Sequence, residues 1–186
     1  MKTIADHILD ISSNSVAAGA TKVTLDIDED TARGTFSFVV ADNGRGIAPD
    51  VQERVFDPFF TTRPHDIRRF GLGLPFLRAN AELTGGGVTL ESTPGVGTTV
   101  TVIFHTDNID CLPLGDIAST LFTLVVSDPH VFWDIRRRYD KSAYTVATED
   151  LLTVFSIDEL TDPKAQKLLL EYLCDQEKAV RVCAGQ

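Results

Sequence analysis

Three short stretches carry most of the chemistry this chain can do. Asp42-Asn43-Gly44-Arg45-Gly46-Ile47 sets a carboxylate beside two glycines. A carboxylate at a strand end is a strong, charge-assisted acceptor for an amine. Gly44 and Gly46 allow backbone to lie against a flat ring, where a Cβ would collide. Phe56-Asp57-Pro58-Phe59-Phe60-Thr61-Thr62, followed by Arg63, comes next, and then Gly71-Leu72-Gly73-Leu74. The last of these opens a helical pattern, where backbone N–H groups suit phosphate oxygens. Thr61, Thr62 and Arg63 offer hydroxyls and a positive charge for a terminal phosphate, beside the aromatic ring of Phe60. Upstream, Asn14 stands inside a helical pattern that Asn disfavours. Its side-chain oxygen suits Mg²⁺, a hard ion that takes oxygen ligands and keeps several waters. Asp10 precedes it by one turn on the same face. Amine acceptor, phosphate grip and hard-ion ligand together point to a nucleotide with Mg²⁺.

The elements that must hold these residues are legible around them. Ile4, Ile8, Leu9, Ile11 and Val16 share a helical face over residues 4–18, and Gly19 stops that helix. Thr21–Asp28 alternates as a half-buried strand, with a turn opening at Asp28-Glu29-Asp30. Gly34–Ala41 is a second strand that ends at Asp42. A short helix is expected over Ala48–Val55, a loop over 57–70 and a helix over Leu72–Leu83. Val88–Ser92 and Thr98–His105 form a hairpin. After residue 106 the pattern changes. Leu114–Val125 reads as helix, Val131–Arg138 and Ala143–Thr148 as an antiparallel strand pair, and Asp162–Val180 as an amphipathic helix. That last helix has Asp162 as N-cap, Pro163 at its first position and an apolar stripe of Leu168, Leu169, Tyr172, Leu173 and Val180. The expected class is α+β: a two-layer α/β sandwich with a mixed, mainly antiparallel sheet and helices on one face. The expected domains are 1–105, binding the nucleotide, and 106–186, a small α+β C-terminal module packed on the first or on a partner.

Composition narrows the partners. The 186 residues carry 27 acidic against 17 basic side chains, a net charge of −10. Non-specific nucleic-acid binding needs a basic face, so DNA and RNA are not expected. Three cysteines, Cys111, Cys174 and Cys183, form no CxxC pair and favour reduced thiols over zinc or disulfides. No stretch has the roughly 20 apolar residues of a membrane span. A cytoplasmic protein is expected.

The boxes at Asn14, Asp42–Ile47 and Gly71–Leu74, with Gly97-Thr98-Thr99, resemble in order and spacing the ATP-binding domain shared by sensor histidine kinases, type II topoisomerases, heat-shock chaperones and mismatch-repair ATPases. Phe56–Thr62 with Gly71–Leu74 is most similar to the kinase branch. Asn14–Thr21 is more similar to the mismatch-repair branch. The resemblance implies that Asp42 accepts the exocyclic amine of adenine and that Asn14 holds Mg²⁺ against the triphosphate. It implies that Thr98 and Thr99, after Gly97, lie near the adenine, with Thr99 taken as the site residue, and that Asp10 occupies the place of the water-activating carboxylate. Arg69, Phe70 and Pro75 depart from the kinase pattern, which puts turnover in doubt more than binding. His7 is expected on the helix surface and not as a phosphoacceptor. The implied activity is that of a stand-alone, kinase-like protein that binds Mg·ATP and hydrolyses it or phosphorylates an unidentified protein partner. The other reading is a non-catalytic, nucleotide-dependent binding module, an anti-sigma-factor-like switch.

Overall fold

The computed structural model describes residues 1–58, 72–156 and 159–183. Helix α1 (Ile4–Ala17) begins at a capping box: Asp6 N–H donates to the Thr3 hydroxyl and Thr3 N–H donates back to the Asp6 carboxylate, each over 3.1 Å. The same bonds, with one from Lys2 N–H, hold the Asp6 carboxyl below its ordinary range. The helix ends where Gly19 turns left-handed at φ +78°.

Strands β1 (Lys22–Asp30) and β2 (Thr35–Asp42) follow, then the short α2 (Pro49–Gln52), α3 (Gly73–Leu83) and the hairpin β3 (Gly87–Thr93) and β4 (Gly97–His105). The later residues add α4 (Ile117–Ser127), β5 (Phe132–Tyr139), β6 (Ser142–Ala147), α5 (Thr148–Val154), a short 3-10 turn (Glu159–Thr161) and α6 (Pro163–Cys183). All six strands join one sheet in the order β3-β4-β2-β1-β5-β6. Every pairing is antiparallel except β1 with β5, which is parallel, with Val23 opposite Trp133. The sheet is therefore mixed and mainly antiparallel, and the fold is the expected α+β sandwich. The strands after residue 106 extend the first sheet.

Alternation decides the layers. Val23, Leu25 and Ile27, Phe36, Phe38 and Val40, Val100, Val102 and Phe104, and Trp133 and Ile135 all point to one face and are buried. Ile4, Ile8 and Ile11 of α1, Leu77 and Ala81 of α3, Leu121 and Leu124 of α4, and Leu169 and Leu173 of α6 close over them. Full burial of each large side chain stabilises by roughly 1.5–3 kcal/mol.

Three boundaries differ from expectation. β1 runs on to Asp30, because Asp28 and Glu29 pair with Arg138 and Tyr139 of β5 before the chain turns. α2 is confined to Pro49–Gln52. α4 starts at Ile117 and not at Leu114, because Gly115 is left-handed at φ +83° and Asp116 caps Ser119 N–H over 2.9 Å. Pro113 and Leu114 instead turn their carbonyls to the Ile4 and Ala5 N–H groups, at 3.0 and 2.9 Å, closing the first turn of α1. On α6, Leu169, Leu173 and Val180 are buried as expected, while Leu168 and Tyr172 of the expected stripe face outward. Helix α5 had no counterpart in the sequence reading.

A buried ionic cluster fastens α6 to the sheet. The Arg137 guanidinium is fully buried; it reaches Glu29 of β1 at 2.5 Å and Glu177 of α6 at 3.1 Å. Arg181 joins Glu29 at 3.1 Å, and the Tyr144 hydroxyl donates to Glu177 over 2.7 Å. Burial, and then the Glu177 charge, push the Tyr144 phenol above its ordinary value, so it stays a donor.

Candidate functional site

The site lies where the C-terminal half of α1 faces the end of β2 and the start of α3. Ser15, buried on α1, donates to Asp42 Oδ2 over 2.7 Å, and Gly44 N–H donates to Asp42 Oδ1 over 2.8 Å. Both carboxylate oxygens are held before anything binds, with lone pairs left for a further donor. Asp42 therefore stands where the sequence places it, at the strand end, with its side chain on the helix side of the sheet.

The loop after Asp42 is tied residue by residue. Asn43 Oδ1 accepts from Thr21 and Lys22 N–H, each over 2.9 Å, pinning the turn to the start of β1. Arg45 N–H donates to Ala18 C=O over 3.1 Å, and Arg45 C=O accepts from Gly95 over 2.8 Å. The glycines are required by contact. A Cβ on Gly44 would meet Asp42 Oδ1 at 2.9 Å and Ala18 at 3.0 Å. One on Gly46, which is left-handed at φ +67°, would fall 2.2 Å from Thr93 O. The glycines serve close packing of the protein on itself. Ile47 N–H donates to the Ser92 hydroxyl over 2.8 Å.

Asp10 and Asn14 are half-buried, one turn apart on α1. Asp10 meets the first residue of α3: a Cβ on Gly73 would come within 2.0 Å of Asp10 Oδ2. A negative charge at a helix start is favoured by the helix dipole. At the N-cap position of α3, Leu72 makes no side-chain cap bond. Leu74 packs against the core, and Pro75, tolerated in a first turn, is buried. The structure thus brings Asp10, Asn14, Asp42, Gly44, Gly46, Ile47, Leu72, Gly73 and Leu74 around one corner of the sandwich. Phe60, Thr61, Thr62, Arg63 and Gly71 lie outside the described residues, as do Arg69 and Phe70.

Two expectations need correcting. Thr99 pairs with Ala41 and Glu91, a row whose side chains leave the opposite face of the sheet. The preceding residue, Thr98, pairs with Asp42 and Ser92 and is the threonine on the site's face. The physical reason is register: one residue along a strand reverses the side chain. His7 is not on the surface. It is fully buried, with Nε2 3.0 Å from the Asn80 amide of α3 and Nδ1 unpartnered. Desolvation, and then the N-terminal positive charge, lower its pKa to about 4. It is a neutral link between two walls of the site, and its burial keeps it from accepting a phosphoryl group.

Ser15, Gln52 and Ser92 stand at the site beyond the residues expected from the sequence. Ser15 carried a signal: Ser, like Asn14 beside it, disfavours a helix interior. Among the described residues no group of three or more His, Cys, Asp or Glu could hold a metal ion. No helix among them is long and apolar enough to cross a membrane.

Comparison with known proteins agrees with this geometry. Residues 2–108 match the family model of the histidine kinase-, DNA gyrase B- and HSP90-like ATPases. The sensor-like histidine kinase SenX3 of Mycolicibacterium smegmatis is 35% identical over 98 residues, covering 51% of this chain and 26% of that protein. The histidine protein kinase DivJ of Caulobacter vibrioides is 44% identical over 71 residues, 37% of this chain and 12% of its own length. The heme sensor protein HssS of Staphylococcus saprophyticus is 30% identical over 92 residues, 50% of this chain and 20% of its own length. The chain thus spans about a quarter or less of these relatives. Among solved structures, the N-terminal domain of a DNA repair protein shares the fold with a TM-score of 0.54 at 14% identity, over 79% of this chain and 52% of that one. The matched family model, the nucleotide boxes and the sandwich fold agree: the chain belongs to the histidine kinase-, DNA gyrase B- and HSP90-like ATPase family, and its ATP-binding domain is of that type.

Proposed function

We propose that this protein binds Mg·ATP at the corner between α1, the end of β2 and the start of α3, and that it transfers the terminal phosphoryl group to water or to a protein partner. The observation that carries the reading is the Asp42 carboxylate, held by Ser15 and Gly44 with capacity for one more donor. Asp42 takes the adenine amine. The start of α3 offers backbone N–H groups to the phosphates. Asn14 fits Mg²⁺ by donor chemistry: a single hard side-chain oxygen, which leaves positions for water and phosphate. When bound, the ion neutralises charge on the phosphates.

Asp10 is the residue placed to take a proton. In hydrolysis the attacking water oxygen bonds to the terminal phosphorus, the bridging P–O bond breaks, and the ADP oxygen keeps that electron pair. Asp10 accepts the proton that the water loses, directly or through a second water. In transfer to a partner, the partner's nucleophile takes the place of that water. Phosphoryl transfer rests mainly on positioning and charge stabilisation, which a small domain can supply. The relatives matched above include sensor histidine kinases, which supports the transfer reading. The test is incubation of the purified protein with γ-labelled ATP and Mg²⁺. Release of labelled phosphate, or label appearing on a co-purified partner, supports turnover. ATP binding with neither outcome favours the non-catalytic switch.

A further inference from the structure

The Asp42–Ile47 loop contains two glycines and should be among the least ordered parts of the site. A side-chain clamp opposes that. Gln52 of α2 directs Nε2 at two carbonyls at once, Ile47 O at 2.7 Å and Ser92 O at 2.8 Å. Both amide hydrogens are spent. Ser92 of β3 accepts from Ile47 N–H over 2.8 Å, and its hydroxyl lies 2.9 Å from Gly97 O and 2.8 Å from Thr98 Oγ1. One donation to Gly97 O and acceptance from both Ile47 N–H and Thr98 uses everything a hydroxyl offers. Thr98 is in turn the cross-strand neighbour of Asp42. A single row, Asp42, Thr98, Ser92, thus crosses three strands, and Gln52 fastens the loop to its end.

We infer that Gln52 and Ser92 are positioning residues that set the base selectivity of the nucleotide site. They do so by fixing Gly44–Ile47 as a rigid wall against the purine. This rests on the nucleotide site proposed above. Asp42 rewards an amine at the adenine position, but that reward discriminates only if the wall cannot shift to accommodate a guanine turned or displaced within the pocket. The Asn43 and Arg45 bonds hold the start of the loop, and the two hydrogen bonds to the Ile47 carbonyl and N–H hold its far end against the shift. Neither residue touches the base, and the clamp is separate from the residues around the phosphates.

The full chain and its Gln52→Leu, Gln52→Glu, Ser92→Ala and Ser92→Thr variants test this by displacement of a fluorescent ATP analogue with ATP and with GTP. Melting temperatures are recorded in parallel. Gln52→Leu and Ser92→Ala should lose about tenfold in ATP affinity, as expected for roughly 1.4 kcal/mol. Their ATP-over-GTP preference should narrow by a similar factor. Gln52→Glu turns an acceptor on the two carbonyls and should be worse than Gln52→Leu. Ser92→Thr keeps the hydroxyl and should restore both affinity and preference. The inference is overturned if ATP affinity in Gln52→Leu and Ser92→Ala is unchanged, or if ATP and GTP affinities fall in parallel with the preference intact. It is also overturned if Ser92→Thr behaves as Ser92→Ala does. A different result, no displacement by ATP from the wild-type chain, removes the nucleotide site itself.

Discussion

Ser15 and Asp42, 27 positions apart in the sequence, meet across 2.7 Å in the folded chain, hydroxyl to carboxylate. The contact joins α1, which carries Asp10 and Asn14, to the strand end that carries the amine acceptor. It sets the orientation of Asp42. Replacing Ser15 with Ala leaves that carboxylate held only by Gly44. Hydrogen bonds to charged groups contribute about 1.5–3 kcal/mol. Ser15→Ala should weaken ATP binding by about tenfold or more, measured by titration calorimetry at a temperature where the variant is folded. An unchanged Kd means that Asp42 needs no orientation from α1.

Gly73 is placed for Asp10. With a Cβ 2.0 Å from Oδ2, Gly73→Ala must displace either the carboxylate or the start of α3. If Asp10 is the proton acceptor, this variant should lose turnover by at least an order of magnitude, as should Asp10→Asn. ATP affinity in Asp10→Asn should fall far less. Phosphate-release assays beside binding titrations separate the two effects. Equal turnover in Asp10→Asn and wild type removes Asp10 from the chemistry.

His7 makes stability depend on pH. Its folded pKa of about 4 lies below its ordinary value of 6.5. The unfolded chain therefore binds more protons between those values, and the contribution of neutral His7 is lost as pH falls from 6.5 toward 4. The difference corresponds to about 3 kcal/mol. Urea unfolding of wild type should show stability falling through that window. His7→Gln, which keeps a polar partner for Asn80, should show a shallower slope. Equal slopes would place the pH dependence elsewhere.

Arg137 should be among the most sensitive positions for stability. It is fully buried against Glu29 and Glu177, and Arg181 satisfies only part of those carboxylates. Removing one partner of a buried pair typically costs 3–5 kcal/mol. Arg137→Met should lower the urea midpoint by a corresponding amount. ATP affinity per folded molecule should be retained, since the cluster sits away from Asp42. A change below 1 kcal/mol would mean that the cluster relaxes around the loss.

What could be read from the sequence was what rests on local rules. Gly19 ended α1, Pro163 and Asp162 began α6, and alternation marked β1, β2 and the hairpin. Asp42, Gly44 and Gly46 alone read as an ordinary turn and stood out because the other boxes accompany them in order. The less legible parts depend on register or on distant contacts. Thr98 and Thr99 are adjacent and identical, and only the pairing of Asp42 with Thr98 shows which one faces the site. His7 reads as a surface histidine until α3 covers it. Arg137 reads as an alternating strand charge until Glu29 and Glu177 enclose it. Gln52 and Ser92 have no spacing that marks them, because their roles arise where two loops close on each other.

The central claim is that Asp42 receives adenine. Calorimetric titration of ATP with Mg²⁺ into wild type and Asp42→Asn tests it most directly, with melting temperatures to confirm folding. Asn keeps the shape and loses the charge that makes the acceptor strong. Saturable binding by wild type, and loss of at least a hundredfold in affinity by a folded Asp42→Asn, is the predicted result. Equal affinity in the two proteins would contradict the account.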